Sequence, residues 1–219
     1  MKKQVMVVGL GHFGSAVARA LSARGTEVLA VDKDAGRVRN VSQTVAEALC
    51  FDATDEELLN RTAPGKRDAC ICAIGDEATE ASIMCTALLK QMGAKRLIGR
   101  ANNDLHARIL RLVGADMVVN PERDFGERFA NLLIHDRVLG ELPLGTDLVL
   151  TELEVPRLFI GRNLIELQLP RRYGVTVVAI RHAGEREVSV PDPKAGIEEG
   201  DVLITVASKD AVTQMLERL

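Results

Sequence analysis

The stretch QVMVVGLGHFG, Gln4 to Gly14, limits what this chain can fold into more than any other part of it. Its apolar run Val5 to Val8 has the length and β-branching of a buried strand, and a helical pattern opens at once behind the glycines. A strand that passes into a helix within so few residues has to turn sharply. Gly9, Gly11 and Gly14 provide for that turn at the spacing G-x-G-x-x-G. Gly9 permits the tight turn, Gly11 has no side chain to block an approaching pyrophosphate, and Gly14 lets the helix lie close to the sheet. Backbone N–H groups at the helix start then face the phosphates. Asp32 closes the next apolar run, VLAV, where a carboxylate can accept both hydroxyls of an adenosine ribose. The same charge repels a 2'-phosphate, which disfavours NADP.

Six apolar runs alternate with helical patterns behind this start. Strands are expected at Gln4 to Val8, Glu27 to Val31, Ala46 to Phe51, Ala69 to Ile74, Arg96 to Arg100 and Met117 to Asn120. Such alternation implies right-handed crossovers and a parallel sheet covered on both faces. Thr54, Asp55, Glu56 and Glu57 read as an acid-rich helix start, and Pro121 suits the first turn of another helix. Asp52 and Asp76 stand where either could cap the helix that follows. The apolar series Phe125, Phe129, Leu132 and Leu133 has helical spacing, and it falls after the sheet is complete. It is therefore open to core packing or to a second subunit.

The pattern changes near Arg137, where a first domain of residues 1–137 is expected to end. LGELPLG, Leu139 to Gly145, reads as a crossover or linker over 138–146 on its Gly and Pro punctuation. A smaller α+β domain, 147–219, is expected to hold strands at Val149 to Val155, Thr176 to Arg181, Glu187 to Val190 and Val202 to Val206. A terminal helix is expected from Lys209 to Arg218. The fold class is thus α/β, a doubly wound parallel sheet followed by a small α+β domain.

Charge and cysteine usage narrow the function. A net charge of -3 gives no electrostatic case for nucleic acid. The chain opens on a strand pattern, and no apolar run approaches the roughly 20 residues of a membrane span. A soluble, cytosolic protein is expected. Cys50, Cys70, Cys72 and Cys85 lie in apolar patterns without paired metal-ligand spacing, which predicts four buried free thiols. Neither half carries a catalytic triad, zinc spacing or nucleophile elbow. An NAD-dependent oxidoreductase stays as the alternative, although its substrate domain would have to be small. A redox-sensing repressor would need a helix-turn-helix and a basic face, and the sequence offers neither.

Seven segments in order carry a family resemblance: GLGHFG, AVDKD, FDATD, AIGDE, the Gly93-Ala94 turn, GADMVVNPE and YGVTVVAIRHAGE. Together they resemble the domains that regulate potassium conductance, and the chain is similar from end to end to the cytosolic KtrA and TrkA subunits of bacterial potassium transporters. The resemblance implies a Rossmann-like first domain that binds ATP and ADP, or NAD and NADH, and a second domain of the TrkA C-terminal type. It implies no enzymatic activity. It also implies a homo-oligomeric ring, an octamer built as a tetramer of dimers, that gates a membrane potassium-translocating subunit of the KtrB or TrkH kind from the inner face of the cell membrane.

Carried over by position, Gly9, Leu10, Gly11 and Gly14 form the phosphate loop, with His12 and Phe13 in its variable places. Asp32 holds the ribose and Lys33 flanks it. Asp52, Ala53 and Thr54 contact the adenine edge, and Ala73, Ile74 and Gly75 close over the adenosine. Arg100 lies near the phosphates. Glu122, in NPE, takes part in binding Mg2+, Ca2+ or Na+ beside ATP. Many KtrA-like chains have Arg where this one has His12, which reaches less far and is mostly neutral at pH 7, so the nucleotide stays open between ATP/ADP and NAD. Members that read cyclic di-AMP in the second domain usually have Arg where this chain has Pro170, with Arg171 and Arg172 shifted from that place. Cyclic di-AMP gains no support from these residues.

Overall fold

The computed structural model describes residues 2–75, 78–145 and 147–219. Two compact units divide the chain, Met1–Arg123 and Asp124–Leu219. In the first, strands β1 (Gln4–Val8), β2 (Glu27–Asp32), β3 (Glu47–Cys50), β4 (Ala69–Cys72), β5 (Leu97–Arg100) and β6 (Met117–Val119) form one sheet in the order β3-β2-β1-β4-β5-β6. Every neighbouring pair is parallel. Helices α1 (His12–Ala23), α2 (Ala35–Ser42), α3 (Glu56–Arg61), α4 (Thr79–Gln91) and α5 (Asp104–Leu112) connect the strands.

The sheet follows from side chains that alternate across buried strands. On β1, Met6 and Val8 pack with Leu29, Cys70, Cys72, Leu97 and the α4 residues Cys85 and Leu89. Val5 and Val7 point the other way, to Val28, Ala30, the α1 residue Ala18 and the α2 residues Val38 and Val41. Both faces of a central parallel strand are covered, so its sequence is apolar throughout rather than alternating. Short polar side chains start the helices. Asp34 accepts from the N–H groups of Gly36 and Arg37 at 2.7 and 3.0 Å, and Asp55 accepts from Leu58 N at 3.0 Å. Each such cap contributes about 1 kcal/mol. It is Asp55, not Asp52, that caps α3. The expected cap at Asp76 lies outside the described residues, as do Glu77 and Thr146.

Several strands are shorter than their apolar runs. β4 ends at Cys72, so Ala73 and Ile74 leave the sheet as loop, and β6 ends at Val119. Asn120 instead turns its Oδ1 to Arg123 N at 3.2 Å, at the start of α6 (Pro121–Ile134).

The second unit is antiparallel. Strands β7 (Val138–Leu144), β8 (Leu148–Glu154), β9 (Thr176–Arg181) and β10 (Val202–Ser208) take the order β7-β8-β10-β9. The expected linker is strand β7, paired with β8 from Val138↔Leu153 to Leu144↔Leu148. Its glycine and proline mislead for a physical reason. Gly140 sits where the register shifts, and Pro143 lies on an edge strand, where a missing N–H costs no ladder bond. The strand expected at Glu187 to Val190 shrinks to one bridge, Ser189↔Ile180. The buried carboxylate of Asp201 shapes the chain on either side of that segment, accepting from Ala183 N at 3.1 Å and Glu198 N at 2.9 Å. Short helices α7 (Leu164–Leu167) and α8 (Leu169–Tyr173), with α9 (Ala211–Glu217), supply Leu167, Leu169 and Met215 to a core with Leu153, Phe159 and Leu203.

No helix among the described residues is long and apolar enough to cross a membrane. The thiols correct one expectation. Cys70, Cys72 and Cys85 are buried, whereas Cys50 is exposed because β3 is the sheet's edge strand. Burial pushes the Cys70 thiol up to about 11 and holds Cys85 well above its ordinary value, with a hydrogen bond to Cys72 the larger cause in the latter. Maleimide should therefore label one thiol per folded chain rapidly, at Cys50, and the other three only on unfolding. Rapid labelling of two or more in the native protein would contradict the burial.

Candidate functional site

The strand order reverses direction between β1 and β4, and loops at the carboxyl ends of those strands part there. A cavity of about 600 Å³ opens at this point. Its first wall is the glycine loop. Gly9 has φ +90°, and a Cβ there would stand 2.7 Å from Ile74 N. A Cβ on Gly14 would stand 1.8 Å from Gly9 O, so α1 lies directly against the loop. Gly11 differs, since nothing in the protein lies within 4 Å of where its Cβ would be. It is also the N-terminal flank of α1, which has no side-chain cap and no acid in its first turn. The first N–H groups of α1 thus open toward an anion without a competing carboxylate.

Asp32, the last residue of β2, is nearly buried. Its Oδ2 accepts from Leu10 N at 2.6 Å and its Oδ1 from Asp34 N at 2.8 Å. Two backbone donors fix the carboxylate, which has lone pairs left for ribose hydroxyls. Asp52 is fixed in the same manner by Thr54, whose N–H and Oγ1 donate at 3.0 and 2.8 Å. Those bonds, the backbone one first, hold its carboxyl below the ordinary carboxylate range. On the opposite side Arg100, at the end of β5, reaches Glu122 in the first turn of α6 with Nη2 to Oε1 at 2.7 Å.

The cavity gathers most of the residues expected from sequence. Gly9, Gly11, His12 and Phe13 line one side, with Asp32, Lys33, Asp52 and Ala53 beyond them. Ala73, Ile74, Gly75, Arg100 and Glu122 complete it. Leu10, Gly14 and Thr54 do not reach it. Leu10 is core and offers only its N–H to Asp32, Gly14 serves the contact between loop and helix, and Thr54 holds Asp52. Arg37 and Phe51 line the cavity without having been expected there. Arg37 stands one helical turn after Lys33, with Nη1 3.8 Å from Asp32 Oδ2, and that spacing was the available signal. Phe51 directly follows β3, a strand-end place that the motif reading left to Asp52.

Glu122, where a cation was expected, stands beside Arg100. Its carboxylate already faces a guanidinium, and among the described residues no three His, Cys, Asp or Glu side chains converge as a metal site would need.

Comparison with known proteins adds to the geometry. The family model of the TrkA-N domain matches residues 5–121, and that of the TrkA-C domain matches 150–219. The chain is 35% identical over 219 residues to the Ktr system potassium uptake protein C of Bacillus subtilis, covering 100% of this chain and 98% of that protein. It is 36% identical over 217 residues to the Ktr system potassium uptake protein A of Vibrio alginolyticus, covering 99% and 98%. In fold it is similar to the GsuK channel bound to NAD, with a TM-score of 0.65 at 17% identity over 96% of this chain and 38% of that one.

The two inner glycines separate folding from binding. Gly11→Ala should unfold in denaturant within about 0.5 kcal/mol of the unmodified chain and bind adenine nucleotides markedly more weakly. Gly14→Ala should lose about 1–3 kcal/mol of stability, because its methyl must displace backbone. Equal stability of the two variants would show that the close contact does not exist.

Proposed function

The chain belongs to the family of Ktr potassium uptake proteins built from a TrkA-N and a TrkA-C domain, and from that premise we propose that it is a nucleotide-sensing regulatory subunit of a potassium transporter. The observation that carries the reading is the cavity itself. One wall is an uncapped helix N-terminus behind Gly11, and the other holds the fixed carboxylate of Asp32, the pair of features that adenine nucleotides need for phosphate and ribose. ATP and ADP are the proposed ligands, with NAD and NADH as the second reading. The second reading is favoured by the shorter reach of His12 in the loop and by the fold's likeness to a channel bound to NAD.

No turnover is proposed. A nucleotide that binds one geometry of the assembly better than another shifts the population toward it, and the shift moves the membrane partner. A change from 1:99 to 99:1 requires about 5.5 kcal/mol of differential binding, a sum that several sites in one ring supply together. The proposed assembly is a homo-oligomeric ring, most simply an octamer, at the cytoplasmic face of a KtrB- or TrkH-like potassium-translocating subunit. Helix α6 supports it. None of its residues is buried, yet Phe125, Phe129, Leu133 and Ile134 are apolar and exposed, and the two phenyl rings stack at 5.7 Å. A second copy with closed symmetry would cover such a stripe.

Calorimetry on Asp32→Asn tests the site, since the amide keeps an acceptor for Leu10 N while losing the charge. Binding of ATP, ADP and NAD should weaken by about 1–3 kcal/mol where that carboxylate holds the ribose. Unchanged affinity for all three would remove Asp32 from the site. Sustained NADH oxidation tied to one carbonyl substrate would instead favour the oxidoreductase. Sedimentation should give an oligomer at micromolar concentration, and a monomer with and without nucleotide would end the ring.

A further inference from the structure

The end of the parallel sheet opposite the cavity is strongly basic. Lys2 and Lys3 come just before β1, Lys66 shortly before β4, and Lys95 and Arg96 just before β5, all of them exposed. The sheet order puts β1, β4 and β5 side by side, and parallel pairing starts them at one level, Val5 opposite Ala69 and Cys70 opposite Leu97. Neighbouring strands lie about 4.8 Å apart, so the three starts fall within about 10 Å of one another, close to the Debye length of about 8 Å at physiological salt. Their charges therefore act together on whatever approaches.

The helix dipoles do not explain these cations. A base in a helix's last turn answers the negative end of that helix, which accounts for Arg39, Arg61, Lys90 and Arg111 on the same side. Lys2, Lys3, Lys95 and Arg96 belong to no helix. Nor are they neutralised locally. Asp68 accepts from Gln4 N at 2.7 Å, Glu27 from Gln4 Nε2 at 3.0 Å, and Asp116 from Leu97 N at 2.7 Å and Lys90 Nζ at 2.8 Å. The acids of this end are taken up in holding strand starts. Among the described residues none of them pairs with Lys2, Lys3, Lys66, Lys95 or Arg96.

We infer that the amino-terminal end of the sheet is a docking surface for an anionic phospholipid bilayer. The choice of occupant rests on the proposed function, which sets the protein beside a membrane. Charge complementarity carries the recognition, since each cation near an anionic bilayer strengthens binding about fivefold and salt screens the gain. The cations lie on no α-helix or hairpin that could enter a nucleic-acid groove, and no aromatic residue stands among them to stack on a base. Strand β1 is five residues long, so the cavity at its carboxyl end lies roughly 15 Å beyond and stays open to a nucleotide while the other end is docked.

Flotation of the full chain with vesicles tests the surface, using phosphatidylcholine alone and an equal mixture of phosphatidylcholine and phosphatidylglycerol. The protein should bind the anionic vesicles and not the neutral ones, and added salt should release it. Lys95→Gln with Arg96→Gln should weaken binding about tenfold. Arg186→Gln with Lys194→Gln, the same change of charge at exposed positions of the second unit, should weaken it less than about twofold. Thermal unfolding checks that both double variants are folded. Equal binding to the two kinds of vesicle, or an equal loss in the two double variants, overturns the docking surface. So does tighter binding to duplex DNA of mixed sequence than to the anionic vesicles at equal phosphate. Calorimetry with ATP and ADP on the same preparation separates the two readings. Vesicle binding without nucleotide binding supports the surface and counts against the proposed function, and nucleotide binding without vesicle binding does the reverse.

Discussion

The hydrogen bond from Leu10 N to the Asp32 carboxylate, buried and 2.6 Å long, holds the first unit's binding end together. It ties the loop after β1 to the end of β2, beside a second tie from Gly9 N to Val31 O at 2.8 Å. Without Asp32 the Leu10 N–H would be buried with no acceptor, a loss of about 1–3 kcal/mol. The same carboxylate takes Asp34 N, and Asp34 then caps α2. One side chain thereby sets the glycine loop, the end of β2 and the start of α2. Its position in the cavity is a by-product of that structural duty, and it is available to a ligand already oriented.

What could be read from the chain beforehand was what local sterics decide. Gly9, Gly11 and Gly14 announced a strand-to-helix turn because few sequences permit one, and the six parallel strands appeared because both faces of β1 are apolar. Tertiary pairing was far less legible. Leu139 to Gly145 carries Gly and Pro and reads as a linker, yet its neighbour β8 gives each residue from Gly140 to Leu144 a partner. Glu187 to Val190 has the reverse problem, a strand-like composition with a single bridge. Cys50 sits in a run as apolar as that of Cys72, and only the sheet order reveals that β3 has no neighbour on its outer edge.

The site divides in the same manner. Residues placed by the motif or at strand ends, such as Asp32, Ala73 and Gly75, were readable because an open α/β sheet binds ligands there. Arg37 projects from a helix into the cavity, and its spacing from Lys33 was the one signal that the motif reading passed over. The role of Glu122 depended on its neighbour. A carboxylate in a helix's first turn looks the same in sequence whatever it faces, and only the fold brings Arg100, 22 residues earlier, beside it.

The crowding of Gly9 against Ile74 and of Gly14 against Gly9 leaves the glycine loop little room to take another conformation. Such a loop is already shaped before any ligand arrives, so occupancy can change it little. It is the rigid side of the cavity. The side that can yield lies across the cavity, at an exposed carboxylate on a helix with no buried residue. A rigid wall and a yielding one thus face each other across one cavity, and a substitution in the second need not disturb the first.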